Sequence, residues 1–163
     1  MRSLFYSFLI LTVWAVALPA NAAKPVFENS YMREYKADGS FEEVRDALKL
    51  AITGQGLVIN NVSHIGNMLS RTGKDIGAKQ EIYEHAEAME FCSASISRTM
   101  MEANPRHIVF CPFIIAVYTL PGEPGKTYLA YRKPEITGSP ESKKALQAVE
   151  KLVDNIVQDA LGW

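Results

Sequence analysis

The stretch that decides the fold is Ile-Val-Phe-Cys-Pro-Phe-Ile-Ile-Ala-Val-Tyr-Thr-Leu, residues 108–120. Apolar side chains occupy both alternating sets of positions, which is typical of a strand buried on both faces in the middle of a sheet. Residues 121–125, Pro-Gly-Glu-Pro-Gly, have the composition of a turn, and residues 127–132 resume a strand pattern. The sequence therefore predicts a central strand that continues into a hairpin.

Helices are predicted on both sides of this hairpin. Ser40 and Glu43 form a capping box, and apolar residues follow at helical spacing until the glycines at 54 and 56. Ser139-Pro140 begins a long amphipathic helix. The other predicted elements are strands at residues 30–35, 57–62 and 81–91, a short helix at 65–71, and a helix that Ser93 or Ser95 caps and Asn104-Pro105 ends.

The main elements follow the order β-α-β-β-α-β-β-α. This order predicts an α+β fold, a single layered domain with a mixed sheet of about five strands packed by three main helices.

Composition excludes several classes of protein. The chain has 163 residues, a net charge of −1, 48% hydrophobic residues and two cysteines. A disordered chain would be less apolar, a nucleic-acid-binding domain would usually be clearly basic, and a disulfide-rich scaffold would have more cysteines. We therefore expect a globular domain without a nucleic-acid partner.

The N-terminus has the three parts of a secretory signal peptide. Met1-Arg2 supplies a positive charge, residues 4–18 form an apolar run, and Pro19 precedes the small residues Ala20-Asn21-Ala22. We predict cleavage after Ala22, which makes residues 1–22 a signal peptide and residues 23–163 the mature domain. That domain would be periplasmic or secreted and would have no membrane anchor.

Cys92 and Cys111 are expected to be neighbours. The helix between them has about eleven residues and travels back roughly 16 Å, the length of about five strand residues. If strands 81–91 and 108–120 are adjacent and parallel, as a right-handed crossover favours, Cys111 lies level with Phe91 or Cys92. Their Cα atoms would be about 5 Å apart, a separation that a disulfide tolerates.

Three interpretations of this pair stay open. The cysteines are unrelated buried thiols, or a structural disulfide that an oxidising compartment favours, or a functional pair that is redox-active or binds a ligand. Cys92 supports the third interpretation, because the free N–H groups at a helix N-terminus stabilise a thiolate. A cysteine nucleophile would also need a base, and His85 and His107 are the candidates.

His85, Met89 and Cys92 are weak candidates for a metal site. They fall within eight residues, and soft ligands of this kind suit copper in an exported protein. On a strand, however, His85 and Met89 share one face and Cys92 points to the other.

Known cofactor motifs do not occur in this sequence. It has no Cys-x-x-Cys-His for haem attachment. Residues 122–127 resemble the end of a P-loop, but only two residues separate the glycines and a strand follows, so they indicate a hairpin and no nucleotide-binding motif.

Three segments together resemble the DUF302 family, a small α/β domain of largely unknown function. They are the capping-box helix followed by Gly54-Gln55-Gly56-Leu57, the segment Met89-Glu90-Phe91-Cys92 before a helix, and Ile108-Val109-Phe110-Cys111 before a charged hairpin. The resemblance covers about residues 35–135, and its two cysteines correspond to Cys92 and Cys111. The chain departs from the family pattern in having Ser93-Ala94 after the first cysteine and Pro112 after the second.

The sequence thus predicts an exported, non-enzymatic domain that binds a small ligand, a metal or a partner protein near Cys92 and Cys111. One alternative is a thiol-dependent or redox enzyme that uses Cys92. Another is a structural module in which the two cysteines form only a stabilising disulfide. The sequence identifies neither the ligand nor a cofactor, and self-association into a homodimer stays open.

Overall fold

The fold is an α+β domain built on one sheet with the strand order β1-β2-β6-β5-β4-β3. The computed structural model describes residues 22–162. The strands are β1 (Phe27–Glu28), β2 (Met32–Asp38), β3 (Val58–Ser63), β4 (His85–Cys92), β5 (Phe113–Thr119) and β6 (Lys126–Arg132). The helices are α1 (Phe41–Gly54), α2 (Ile65–Asp75), α3 (Ala94–Ala103) and α4 (Pro140–Leu161), with a 3₁₀ helix at Pro105–Phe110.

The centre of the sheet is β5, which pairs with β4 on one side and β6 on the other. Alternate residues of β5 from Phe113 to Thr119 are buried towards α1 and α4, and the residues between them are half-buried on the opposite face. This confirms the predicted central strand. The edges of the sheet are weaker, because β1 has only two residues and β3 carries a bulge between Ile59 and Asn61.

The predicted helix signals are confirmed in α1 and α4. The Glu43 backbone N–H donates to the Ser40 hydroxyl, and the Ser40 backbone N–H donates to the Glu43 carboxylate. Leu48 and Ile52 of α1 are fully buried, and the burial of each stabilises the fold by about 2 kcal/mol. Ser139 caps α4, whose apolar stripe packs on the same core.

The predicted strand at residues 108–120 is too long at its N-terminal end. Residues Pro105–Phe110 form a 3₁₀ helix, in which the Asn104 side chain accepts a hydrogen bond from the Arg106 backbone N–H. Pro112 has no N–H to donate to a neighbouring strand, so the ladder begins only at Phe113. The short first strand β1 was not predicted, and the predicted strand at 30–35 lies at Met32–Asp38.

The prediction of a mixed sheet is wrong, because every pair of neighbouring strands among the described residues is antiparallel. A parallel β5 would require α3 to carry the chain to the far end of β4. Instead, α3 and the 3₁₀ helix pack against each other, with the His107 Nδ1 atom 3.1 Å from the Met100 carbonyl oxygen. The chain therefore re-enters the sheet at the same end where β4 finished.

The predicted signal peptide lies outside the described residues, apart from Ala22. Among residues 22–162, none of the helices combines the length and the apolar character that crossing a bilayer requires.

Candidate functional site

Cys92 and Cys111 lie side by side, and we call this pair with Ser97 the thiol corner. Cys92 is the last residue of β4, and Cys111 stands between the 3₁₀ helix and β5. Cys111 is close enough to Cys92 to shift the pKa of its thiol, and the two cysteines are half-buried and not joined by a disulfide. The Ser97 hydroxyl of α3 lies 3.2 Å from the Cys111 sulfur.

The two cysteines meet for a different reason from the one predicted. Phe91 of β4 is in register with Phe113 of β5, so the end of one strand lies beside the start of the next. In an antiparallel pair, the residues that flank the connection always lie at the same end of the sheet. The expected proximity of Cys92 and Cys111 is thus present, but the parallel crossover used to argue it is not.

Burial raises the pKa of the Cys92 thiol, and the adjacent Cys111 raises it further. The Phe113 backbone hydrogen bond to Cys92 acts in the opposite direction and is the smallest of these effects. Ser93, not Cys92, caps α3, with its hydroxyl 3.5 Å from the Ile96 backbone N–H. Ser93 is thus one of the two predicted caps of α3, and the start of α3 is not among the causes that shift the pKa of Cys92.

His85 and His107 do not supply a base to these thiols. His85 is at the opposite end of β4, roughly 23 Å along the strand from Cys92. Its ring is stacked on Phe41, with 5.0 Å between the ring centroids. His107 is buried, and its Nδ1 lies 3.1 Å from the Met100 carbonyl oxygen, so its ring holds the 3₁₀ helix against α3.

The metal candidates His85, Met89 and Cys92 do not converge. Met89 is fully buried on the face of β4 that packs against the helices, and Cys92 occupies the other set of alternating positions. Within residues 22–162, no group of three or more His, Cys, Asp or Glu side chains is arranged to hold a metal ion.

A cleft of about 260 Å³ opens beside the thiol corner. Phe110 and Pro112, the two neighbours of Cys111, line one part of it, and Arg132 at the end of β6 lines another. Sequence analysis did not identify Arg132. The available signal was weak, because Arg132 is one cation among the 17 lysines and arginines of the chain.

Sequence analysis also missed a polar cluster between the sheet and α4, which we call the Asp154 network. The Asp154 carboxylate accepts hydrogen bonds from the Tyr35 and Tyr131 hydroxyls at 2.7 Å each and from the Arg33 guanidinium at 2.9 Å. Burial opposes ionisation of Asp154, but these three donors hold its pKa below the usual value. The guanidinium of Arg33 also bonds Glu28, whose pKa falls to about 2.

One solved structure with the same fold is the crystal structure of an uncharacterized conserved protein, DUF302, from Bacillus stearothermophilus. It shares 16% identity with this chain at a TM-score of 0.65, and the match covers 82% of this chain and 99% of the other. At this identity the similarity shows the fold alone. None of the curated proteins matches the chain.

The family model described as "Domain of unknown function DUF302" matches residues 33–160. The matched range includes both cysteines and extends beyond residues 35–135, where the sequence resemblance was found. It covers every helix and every strand except β1, apart from the first residue of β2 and the last residue of α4. The chain therefore belongs to the DUF302 family, whose function is unknown.

Proposed function

We propose that this chain is an exported, non-enzymatic binding domain whose Cys92 and Cys111 thiols bind a soft metal ion such as Cu(I). The observation that carries the proposal is that two unbonded cysteines lie beside each other, Cys92 at the end of β4 and Cys111 just before β5. The signal-like residues 1–22 support export, because they have the order of parts that a secretory signal requires.

The chemistry of the pair fits a monovalent soft ion. Thiolates are soft ligands and favour Cu(I) over hard cations such as Mg²⁺ or Ca²⁺. Two sulfur atoms are enough for a two-coordinate ion, whereas a structural zinc site requires four ligands. Binding would release the two thiol protons to solvent and leave a bis-thiolate complex with one negative charge.

The same surroundings argue against an enzyme that uses Cys92 as a nucleophile. Catalytic cysteines have a lowered pKa and a base within hydrogen-bond reach. Here burial raises the pKa of Cys92, while His85 and His107 are engaged with Phe41 and Met100.

The test is a competition titration of Cu(I) between a chromophoric chelator and reduced protein comprising residues 23–163, under anaerobic conditions. We expect one Cu(I) per protein, with the stoichiometric site lost in both Cys92→Ser and Cys111→Ser. Met68→Leu is the matched control, because it removes an exposed sulfur atom on α2 and should leave binding unchanged. Circular dichroism establishes that each variant is folded.

Two results would overturn the metal proposal. In the first, the chelator keeps all of the Cu(I) in the presence of the reduced wild-type protein. In the second, a folded Cys92→Ser variant binds Cu(I) as the wild type does.

A stabilising disulfide is the second candidate, and the contact between the thiols in a chain predicted to be exported favours it. Intact mass after air oxidation and alkylation would show the loss of two hydrogens and no free thiol. Reduction should then lower the midpoint of thermal unfolding. A disulfide that forms readily, combined with a reduced form that binds no Cu(I), selects this candidate over metal binding.

A further inference from the structure

The cleft beside the thiol corner reaches from the surface into the hydrophobic core. Its floor includes Phe113 of β5 and Val149 and Val153 of α4, each only 4% exposed. At its mouth Tyr31 is 62% exposed and Val109 is 76% exposed. Large apolar side chains at this exposure, continuous with an apolar floor, are typical of a surface that a ligand covers.

The charge at the mouth is positive and unpaired. Arg132 lines the cleft and is exposed, and among residues 22–162 no carboxylate lies within ion-pair distance of its guanidinium. The neighbouring Lys133 is different, because its ammonium is paired with Glu28 and Glu150. One guanidinium is therefore free to bind an anion at the edge of an apolar space.

We propose that this cleft binds a small amphiphilic carboxylate, with its carboxylate on Arg132 and its apolar chain against Phe113, Val149 and Val153. Arginine presents parallel N–H donors that match the two oxygens of a carboxylate. The volume of 260 Å³ corresponds to roughly nine water-sized groups, which fits a medium-chain carboxylate such as octanoate.

This inference does not depend on the proposed metal site. The cleft borders the thiol corner through Phe110 and Pro112, but neither Cys92 nor Cys111 lines it. A Cys92→Ser/Cys111→Ser double variant should therefore lose Cu(I) and still bind octanoate. Measuring both ligands on this variant therefore distinguishes failure of the metal proposal from failure of the carboxylate proposal.

Isothermal titration calorimetry of reduced protein comprising residues 23–163 tests the carboxylate proposal with three probes: octanoate, 1-octanol and acetate. We expect saturable 1:1 binding of octanoate and no measurable binding of acetate, which lacks the apolar chain. Octanol should bind about tenfold more weakly than octanoate, because it cannot form the charge-assisted pair with Arg132.

Arg132→Gln should weaken octanoate binding about tenfold and leave octanol binding unchanged. Arg71→Gln is the matched control, because Arg71 is also exposed but lies on α2 and does not line the cleft. Val109→Glu, which places a carboxylate at the mouth, should weaken octanoate binding at least as strongly. Thermal unfolding of each variant shows whether it is folded.

The proposal is overturned when octanoate shows no saturable binding to the wild type. It is also overturned when Arg132→Gln binds octanoate as tightly as Arg71→Gln does, since the carboxylate would then lie elsewhere.

Discussion

The Asp154 network and the thiol corner differ in how completely their polar groups are paired. In the Asp154 network, one carboxylate receives three donors from two strands, and Arg33 extends the pairing to Glu28 and Glu150. In the thiol corner, the hydrogen-bond partners that residues 22–162 offer the thiols are the Ser97 hydroxyl, the Phe113 backbone N–H and the other thiol.

The difference indicates which region holds the fold and which remains available to a ligand. A half-buried charge is stabilised when its hydrogen bonds are made, so removing one of its partners destabilises the fold. The Asp154 network joins β2 and β6 to α4. Within the described residues, one of its buried polar atoms, Arg33 Nε, has no hydrogen-bond partner. The thiols have unused coordination capacity, so a ligand can bind them without breaking an existing ion pair.

The largest loss of stability is expected for Asp154→Ala. This change leaves two tyrosine hydroxyls and a guanidinium without their common acceptor, and we expect the free energy of unfolding to fall by about 3 kcal/mol. Urea denaturation followed by circular dichroism measures the change. The control is Asp159→Ala, which removes an exposed α4 carboxylate that accepts a hydrogen bond from Gln55 and should cost less than about 0.5 kcal/mol. Equal losses in the two variants would contradict a stabilising role for the network.

The second prediction compares the stability loss on replacing each of two arginines on neighbouring strands. Arg33 is mostly buried and paired with three carboxylates, so Arg33→Gln should lower the free energy of unfolding by about 2 kcal/mol. Arg132 is exposed at the cleft, so Arg132→Gln should change it by less than about 0.5 kcal/mol. The same denaturation experiment measures both. A large loss for Arg132→Gln would show that Arg132 supports the fold.

Acid should weaken the Asp154 network. Because the folded-state pKa of Asp154 lies below its ordinary value of 3.8, its contribution is complete above that pH and is lost as the pH falls through the folded pKa. The stability difference between the wild type and Asp154→Asn should therefore narrow as the pH is lowered from 5 to about 2.5. Unfolding measured at a series of pH values shows this. A stability difference that stays constant over this pH range would mean that the ionised Asp154 carboxylate does not stabilise the fold.

Substitutions in the thiol corner should affect the stability of the fold least. Their effect is measured instead as the rate at which Cys92 is alkylated. Since burial and Cys111 raise the pKa of Cys92, alkylation by iodoacetamide should be slow at pH 7, rise about tenfold per pH unit, and level off only above the ordinary thiol pKa of 9.0. In Cys111→Ser the neighbouring thiol is absent, so the alkylation profile of Cys92 should move to lower pH. Peptide mass spectrometry identifies the alkylated residue. An unchanged profile would show that Cys111 does not influence Cys92.

Local signals in the sequence predicted most of the fold. The capping box at Ser40 and Glu43, the proline at the first turn of α4, and the Pro-Gly turn at residues 121–125 each depend on a few adjacent residues. Such signals act within one turn of the chain and can be read without knowing the tertiary structure.

Long-range features were harder to predict. The direction of β5 relative to β4 depends on how α3 packs on the 3₁₀ helix, which the apolar pattern of residues 108–120 does not show. The Asp154 network combines residues more than 100 positions apart, so no local spacing identifies it. The two cysteines were found because they are rare, and their proximity was expected from an incorrect strand direction.

The weak edges of the sheet have a consequence for aggregation. An exposed edge strand offers unpaired backbone groups to other chains, and natural sheets limit this with short or bulged edge strands. Here one edge is the two-residue strand β1, and the other is β3, whose bulge interrupts the ladder beside Asn61. Within the described residues, neither edge of the sheet therefore presents a long regular template for amyloid-like growth.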